Sequence, residues 1–184
     1  TDAIEYDDLP QVLVDAFIAT EDSRFFEHQG VDIPRFTKAM MINVKDSIKR
    51  MRFTFSQGGS TITMQLLKNT YFVSENVQTG EGQLAASTGI AGVERKMQEL
   101  YLATKLEKEK ILTKKEQITF YLNTTYFGAG SNTMGIQTSA KRYFDKDVSE
   151  LNLIESAFLA GVINAPNSYS PYSSIRKAKE RTHT

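Results

Sequence analysis

The sequence has no cysteine and only two histidines, His28 and His183. The first absence excludes disulfides, thiolate nucleophiles and cysteine-ligated zinc, and leaves the redox compartment undetermined. The second argues against a histidine triad or a multi-histidine metal site, because His183 lies one residue from the end. There is no excess of either charge: 22 Lys and Arg balance 22 Asp and Glu. A general nucleic-acid binder is therefore disfavoured, while a local basic patch is not. No apolar run approaches the roughly 20 residues needed to span a bilayer, and no segment reads as a signal peptide. Neither an internal repeat nor βαβ alternation occurs, which disfavours Rossmann and P-loop architectures.

What is present describes a globular chain. At 184 residues, with 40% hydrophobic and 24% charged, it can pack one core and is too short for two ordinary domains. Because it opens directly on Thr1-Asp2 and closes in a basic, helix-like stretch, it reads as a fragment of a longer, anchored protein.

Helical periodicity dominates. Asp7 and Asp8 before Pro10 predict an acidic cap with proline in the first turn, followed by a face of Leu13, Ala16, Phe17 and Thr20 that ends near Glu21-Asp22. Gly58-Gly59-Ser60-Thr61 predicts a second helix start, capped by Ser60 or Thr61 and running through Ile62, Leu66 and Tyr71. Residues 73–92, rich in Gly, Ser, Thr and Gln, predict a long mobile loop. Helical spacing resumes from Val93 to Lys108. A capping box at Thr113–Glu116 then opens a helix through Tyr121 and Leu122, and Gly128-Ala129-Gly130 breaks it. Two more helices are predicted, from Gly135 to Tyr143 and from the Asn152–Glu155 cap to Ile163, the latter stopped before Pro166.

Several segments carry candidate chemistry. Glu21 falls four residues after Phe17 and continues the apolar stripe inward, where a carboxylate is desolvated and its basicity raised. It also sits at a helix C-terminus, where the dipole disfavours anions, so the position suits a general base. The plainer reading is a polar helix end turning into a loop. His28 is given a supporting role. In the segment 58–69, glycines precede a helix N-terminus, and Thr61, Gln65 and Lys68 follow on one face. Amides, hydroxyl and ammonium could converge there on a phosphate, although an ordinary capped helix has the same pattern. Arg95 and Glu99 head a stripe with Leu102, Ala103 and Leu106. A simple surface ion pair would be expected on the polar face with Lys96 and Lys105 instead. Residues 36–55 mix Met40, Met41, Ile42 and Val44 with Lys38, Lys45 and Lys49. That pattern fits a membrane-surface element and, equally, a core helix with a solvated basic face.

In order, these blocks resemble the five motifs of the family 51 glycosyltransferases. This is the domain shared by class A penicillin-binding proteins and monofunctional peptidoglycan glycosyltransferases. The first motif is similar to Glu21-Asp22 with Phe25, His28 and Gly30; the second to Gly59-Ser60-Thr61 with Gln65, Lys68 and Asn69; the third to Arg95-Lys96 with Glu99. The fourth resembles Tyr121 to Phe144 and the fifth Glu155 to Pro171. Departures are Met64 for a second glutamine, Ser131–Met134 for a small-aromatic-glycine run, and Asp145 where glycine is common.

The resemblance implies a mainly α fold with a lysozyme-like helical head lobe and a small membrane-associated jaw lobe at about 33–57, within a single domain spanning 1–184. It implies a peptidoglycan glycosyltransferase on the extracytoplasmic face of the bacterial cytoplasmic membrane. Its partners would be lipid II, the growing lipid-linked glycan, the membrane surface and other cell-wall synthesis proteins, with no nucleic acid, and moenomycin would bind it. Glu21 would deprotonate the acceptor 4-hydroxyl, with inversion and loss of undecaprenyl pyrophosphate. Lys68 and Arg95 would stabilise the leaving group, helped by Ser60, Thr61, Gln65, Asn69 and Lys96, while Asp22 would orient Glu21. Glu99 has two roles open: positioning these cations, or holding a divalent magnesium or manganese ion; no cofactor is required by the sequence. The rivals are a lysozyme-like glycan-cleaving enzyme and a non-catalytic wall-binding module. The basic set at Lys68 and Arg95 speaks against the first, because glycan hydrolysis needs no anion cradle. The pair Glu21 and Glu99 speaks against the second.

Overall fold

The structure is a computed structural model that describes residues 3–50, 58–72, 89–128, 133–169 and 174–182. Among these the fold is mainly helical, with no strand beyond one antiparallel bridge between Tyr126 and Met134. The chain divides into two compact units, Thr1–Ser23 with Lys114–Thr184, and Arg24–Thr113.

In the first unit, α1 runs Gln11–Glu21. Its start differs from the expected acidic cap: Asp7 and Asp8 lie in a 3-10 helix, Tyr6–Asp8, and Pro10 is the N-cap, without a side-chain cap bond. Asp8 instead accepts from the Glu5 amide at 2.9 Å. An acidic residue three positions after Glu5 closes that turn locally and is spent before α1 begins. Further on come α5, Lys114–Thr124, and α6, Ile136–Phe144. They are followed by α7, Leu153–Val162, the short α8, Pro166–Tyr169, and α9, Ile175–Thr182. The expected reciprocal cap at α7 is present: Asn152 Oδ1 accepts from Glu155 N at 3.0 Å, and Asn152 N donates to Glu155 Oε2 at 2.9 Å.

The core of this unit forms where α1 packs on α7. Leu13, Val14 and Phe17 of α1 are buried, as are Leu159, Ala160 and Val162 of α7. Phe17 also meets Tyr121 and Phe127 edge to face, at ring-centroid distances of 6.4 and 6.1 Å. Burial of side chains this size is worth roughly 1.5–3 kcal/mol each, so the stripe on α1 decides which way the helix faces. It therefore decides where the next residue of that stripe, Glu21, points.

The second unit holds α2, Ile33–Arg50; α3, Ile62–Tyr71; and α4, Gly89–Lys108. Thr61 is the N-cap of α3, accepting from Met64 N at 3.2 Å. The core joins Met64 and Leu67 of α3 to Ala103 and Leu106 of α4, with Val31. The expected loop at 73–92 is corrected at its end, because 89–92 are already the first turn of α4. Gly92 is buried there, and the helix carries the roughly 1 kcal/mol that glycine costs it. The remainder, 73–88, lies outside the described residues, as do Met51, Phe53, Phe55 and the segment 129–132.

Candidate functional site

In the first unit, Glu21 is the last residue of α1 and Asp22 its C-cap, whose amide donates to Ile18 O at 2.9 Å. Both carboxylates are buried, with Glu21 9% exposed and Asp22 0%. Glu21 follows Phe17 by one helical turn, so the packing that buries the phenyl ring buries the carboxylate too. Asn164, two residues beyond α7, donates from Nδ2 to Glu21 Oε1 at 3.1 Å. Tyr121 lies close enough for both carboxylates to act on it. Burial first, and then the negative charge of Glu21, raise its phenol far above the ordinary tyrosine range, so it stays a neutral hydroxyl.

In the second unit, Phe25 is fully buried and lies edge-on to Phe26 and His28, with ring centroids 5.2 and 6.2 Å away. Gly30 turns the chain with φ +80, and an added Cβ would sit 2.3 Å from the Ala103 carbonyl oxygen. This is why the first motif carries a glycine. The Thr61 hydroxyl donates to Gly30 O at 2.6 Å as well as capping α3, so it is committed to structure.

Around Glu99, which is 2% exposed, the side chains converge. Arg95 Nε lies 3.2 Å from Glu99 Oε1, and Lys96 Nζ is 2.9 Å from Oε2. Lys96 also donates to Ser60 Oγ, which ties the residue ahead of α3 to α4. Lys96 lies with the Arg95–Glu99 pair rather than on the polar face with Lys105, because a three-residue step on a helix brings it within reach of the same carboxylate. Lys68, half-buried on α3, feels these charges. Burial first, then repulsion from Arg95 and a smaller contribution from Lys96, lower its pKa, with Glu99 opposing. Gln65 and Asn69 are half-buried on the same helix. Three cations against one carboxylate leave this cluster net positive, and an incoming phosphate would relieve the repulsion on Lys68.

No group of three His, Asp or Glu among the described residues is arranged to hold a metal ion. No helix among them is long and apolar enough to cross a membrane. Asn164 is the residue that the sequence analysis missed. A single asparagine two positions before proline reads as a turn former, and only the packing of α7 on α1 brings it to Glu21.

A helical chain with a buried glutamate closing one helix, and a net-positive cluster built on two others, belongs to the transglycosylase family, whose model matches residues 1–184. Among individual proteins, the chain is 43% identical over 174 residues to penicillin-binding protein 1A of Clostridium botulinum (strain Langeland), covering 95% of this chain and 18% of that protein. Identity is 39% over 174 residues with penicillin-binding protein 1A of Clostridium perfringens (strain 13), covering 95% and 22%. With the Streptococcus pneumoniae (strain R6) protein of the same name it is 38% over 174 residues, covering 95% and 21%. The chain thus spans about a fifth of the length of the curated relatives it matches.

Proposed function

We propose that this chain is a peptidoglycan glycosyltransferase that polymerises lipid II into glycan strands. The observation that carries the reading is a carboxylate, Glu21, buried at a helix C-terminus in a chain that belongs throughout to the transglycosylase family. In this reading Glu21 takes the proton of the acceptor 4-hydroxyl as that oxygen attacks the anomeric carbon of the growing chain. The bond from that carbon to the pyrophosphate oxygen breaks with inversion, and undecaprenyl pyrophosphate leaves with the electron pair. A pyrophosphate is a stable anion that needs cations rather than a proton donor. Lys68, Arg95 and Lys96 supply them, with Ser60, Gln65 and Asn69 as neutral donors, while Asp22 orients the Glu21 region.

We read Glu99 as the residue that positions Arg95 and Lys96. Both of its oxygens face these cations, at 3.2 and 2.9 Å, and a divalent ion there would have to displace them or be repelled. The mainly helical first unit is proposed as a lysozyme-like head and the region around α2 as a membrane-associated jaw. The site of action is the outer face of the bacterial cytoplasmic membrane, with lipid II, the growing glycan and other wall-synthesis proteins as partners.

The test is to incubate the protein with lipid II and, separately, with finished peptidoglycan, with and without a divalent ion. Chain growth from lipid II that is abolished in Glu21→Gln, with lipid II binding retained, is the expected result. Cleavage of peptidoglycan without chain growth would overturn the reading, and unchanged turnover in Glu21→Gln would remove the assignment of the base.

A further inference from the structure

Helices α1 and α7 pack side by side, and their C-terminal ends come together where Asn164 Nδ2 donates to Glu21 Oε1 at 3.1 Å. We propose that Asn164 is a positioning residue for glycosyl transfer: its amide holds the Glu21 carboxyl in one orientation and favours the ionised form that accepts the proton. The inference rests on the reading of Glu21 as the base and goes beyond it.

The need for such a donor follows from the surroundings. An ionised carboxylate at a helix C-terminus faces the negative end of the dipole, and burial removes the water that would otherwise solvate it. Two of the groups beside it carry no positive charge. Asp22 is the next residue, and Tyr121 on α5 is a buried phenol. The one acidic or basic side chain on α7, Glu155, lies nine residues before Asn164, roughly 13 Å along the axis, and accepts from Lys146 at 2.7 Å. On α1 itself, Asp15 is exposed and accepts from Gln11. Lys114, Lys115 and Glu116 occupy the first turn of α5, roughly 7 Å or more along its axis from Tyr121.

A carboxylate can only accept, and an amide nitrogen brings two donors without a charge. A lysine or arginine in that place would form an ion pair and suppress the basicity on which the reaction depends. A neutral amide orients the carboxyl without pairing it with a cation. Asn164 is itself exposed, and the structure holds the backbone on either side of it. Val162 is buried on one side of it, and on the other the Ala165 amide donates to Val162 O at 3.2 Å just before Pro166 opens α8.

The experiment is the pH dependence of lipid II polymerisation by the full chain, from about pH 5.5 to about pH 9, for Asn164→Ala, Asn164→Asp, Asn164→Gln and Glu21→Gln. Losing the donor makes the carboxyl hold its proton more tightly. In Asn164→Ala the acid limb of kcat should therefore move to higher pH by about 0.5 to 1. The rate should fall on the order of tenfold near pH 6 and only a few-fold near pH 8.5, with KM within about twofold. Asn164→Asp, which adds a second carboxylate, should move the limb further in the same direction. Asn164→Gln, which can still donate, should restore part of it.

A second measurement needs no turnover. The Glu21 side-chain carboxyl carbon, assigned by its loss in Glu21→Gln, should titrate at higher pH in Asn164→Ala and Asn164→Asp than in the unsubstituted chain. If Glu21→Gln is inactive while the Asn164 variants keep both the acid limb and the carboxyl titration, the positioning role falls and the base assignment survives. If Glu21→Gln keeps its turnover, the base assignment falls and the inference with it. Should Asn164→Ala fail to fold, the near-isosteric Asn164→Asp carries the test.

Discussion

Thr61 Oγ1 donates to the carbonyl of Gly30 at 2.6 Å, across a separation of 31 residues, while it accepts from Met64 N at 3.2 Å. One buried hydroxyl therefore closes the first turn of α3 and fastens that turn to the segment ahead of α2. At the same point Gly30 runs against the backbone of α4, where no side chain fits. Thr61→Val is expected to cost about 2–3 kcal/mol, an N-cap together with a buried carbonyl left without its donor, and Thr61→Ser about 1 kcal/mol or less. Gly30→Ala is expected to cost at least about 3 kcal/mol, through positive φ and backbone overlap together. Urea unfolding midpoints check this; a Thr61→Val midpoint equal to that of the parent would show that the bond is not structural.

Lys68 gives a pH dependence with opposite signs for stability and for anion affinity. Its pKa lies below the ordinary 10.5, through burial and then Arg95. A lysine held below its unfolded value destabilises the fold while protonated, and that cost is relieved as pH rises through the lowered folded value toward 10.5. A bound phosphate favours the charged form, so affinity must fall across the same window. Titration calorimetry with inorganic pyrophosphate should show proton uptake on binding and an affinity that declines, by up to about tenfold per pH step of one, above the lowered value. Lys68→Arg, charged throughout, should flatten the decline. A decline of equal steepness in Lys68→Arg would assign it to another group.

Most of the helical fold could be read from local signals because those signals are self-sufficient. Asn152 with Glu155, and Thr61 after two glycines, each declare a helix start in four residues, and Phe17 with Glu21 declares a buried face by spacing alone. Where two structures share one local pattern the reading failed. The acids at Asp7 and Asp8 suit either a cap for α1 or a turn closed on Glu5, and only the folded chain chooses. Glycines at 89 and 92 look like loop residues by composition, yet both lie in the first turn of α4. The site was legible in part for the same reason. The partnership of Arg95 with Glu99 follows from helical spacing, but Asn164 reaches Glu21 across 143 residues, and no local pattern carries that contact.

Asp145 is the C-cap of α6 and holds the left-handed conformation, φ 55 and ψ 33, which glycine adopts without a Cβ penalty. A residue with a Cβ pays roughly 1 kcal/mol there, part of which aspartate recovers through local hydrogen bonding. Asp145→Gly is expected to stabilise the protein by about 0.5–1 kcal/mol and Asp145→Val to destabilise it by more than that, read as shifts in thermal midpoint. A loss of stability in Asp145→Gly would show that its side chain does more than tolerate the turn.

Helix α2 presents two different sides. Phe36, Ala39 and Asn43 turn inward, whereas Ile33, Met40, Met41 and Val44, which fall along one stripe at helical spacing, are exposed at 63%, 38%, 71% and 53%. Lys38 and Lys45 are exposed beside that stripe. A core helix with a solvated basic face would have buried these four side chains, so the arrangement supports the proposed membrane-surface role. Each apolar side chain entering an acyl layer contributes up to about 1.5–3 kcal/mol, and each cation near an anionic surface about 1 kcal/mol. Met41→Glu combined with Val44→Glu should therefore reduce binding to phosphatidylglycerol vesicles at least about tenfold. The unfolding midpoint should barely move, because both positions are exposed. Raising salt should weaken the parent's binding, and zwitterionic vesicles should bind it less than anionic ones. Undiminished binding by the double variant would take α2 out of the membrane contact, whatever the lipid.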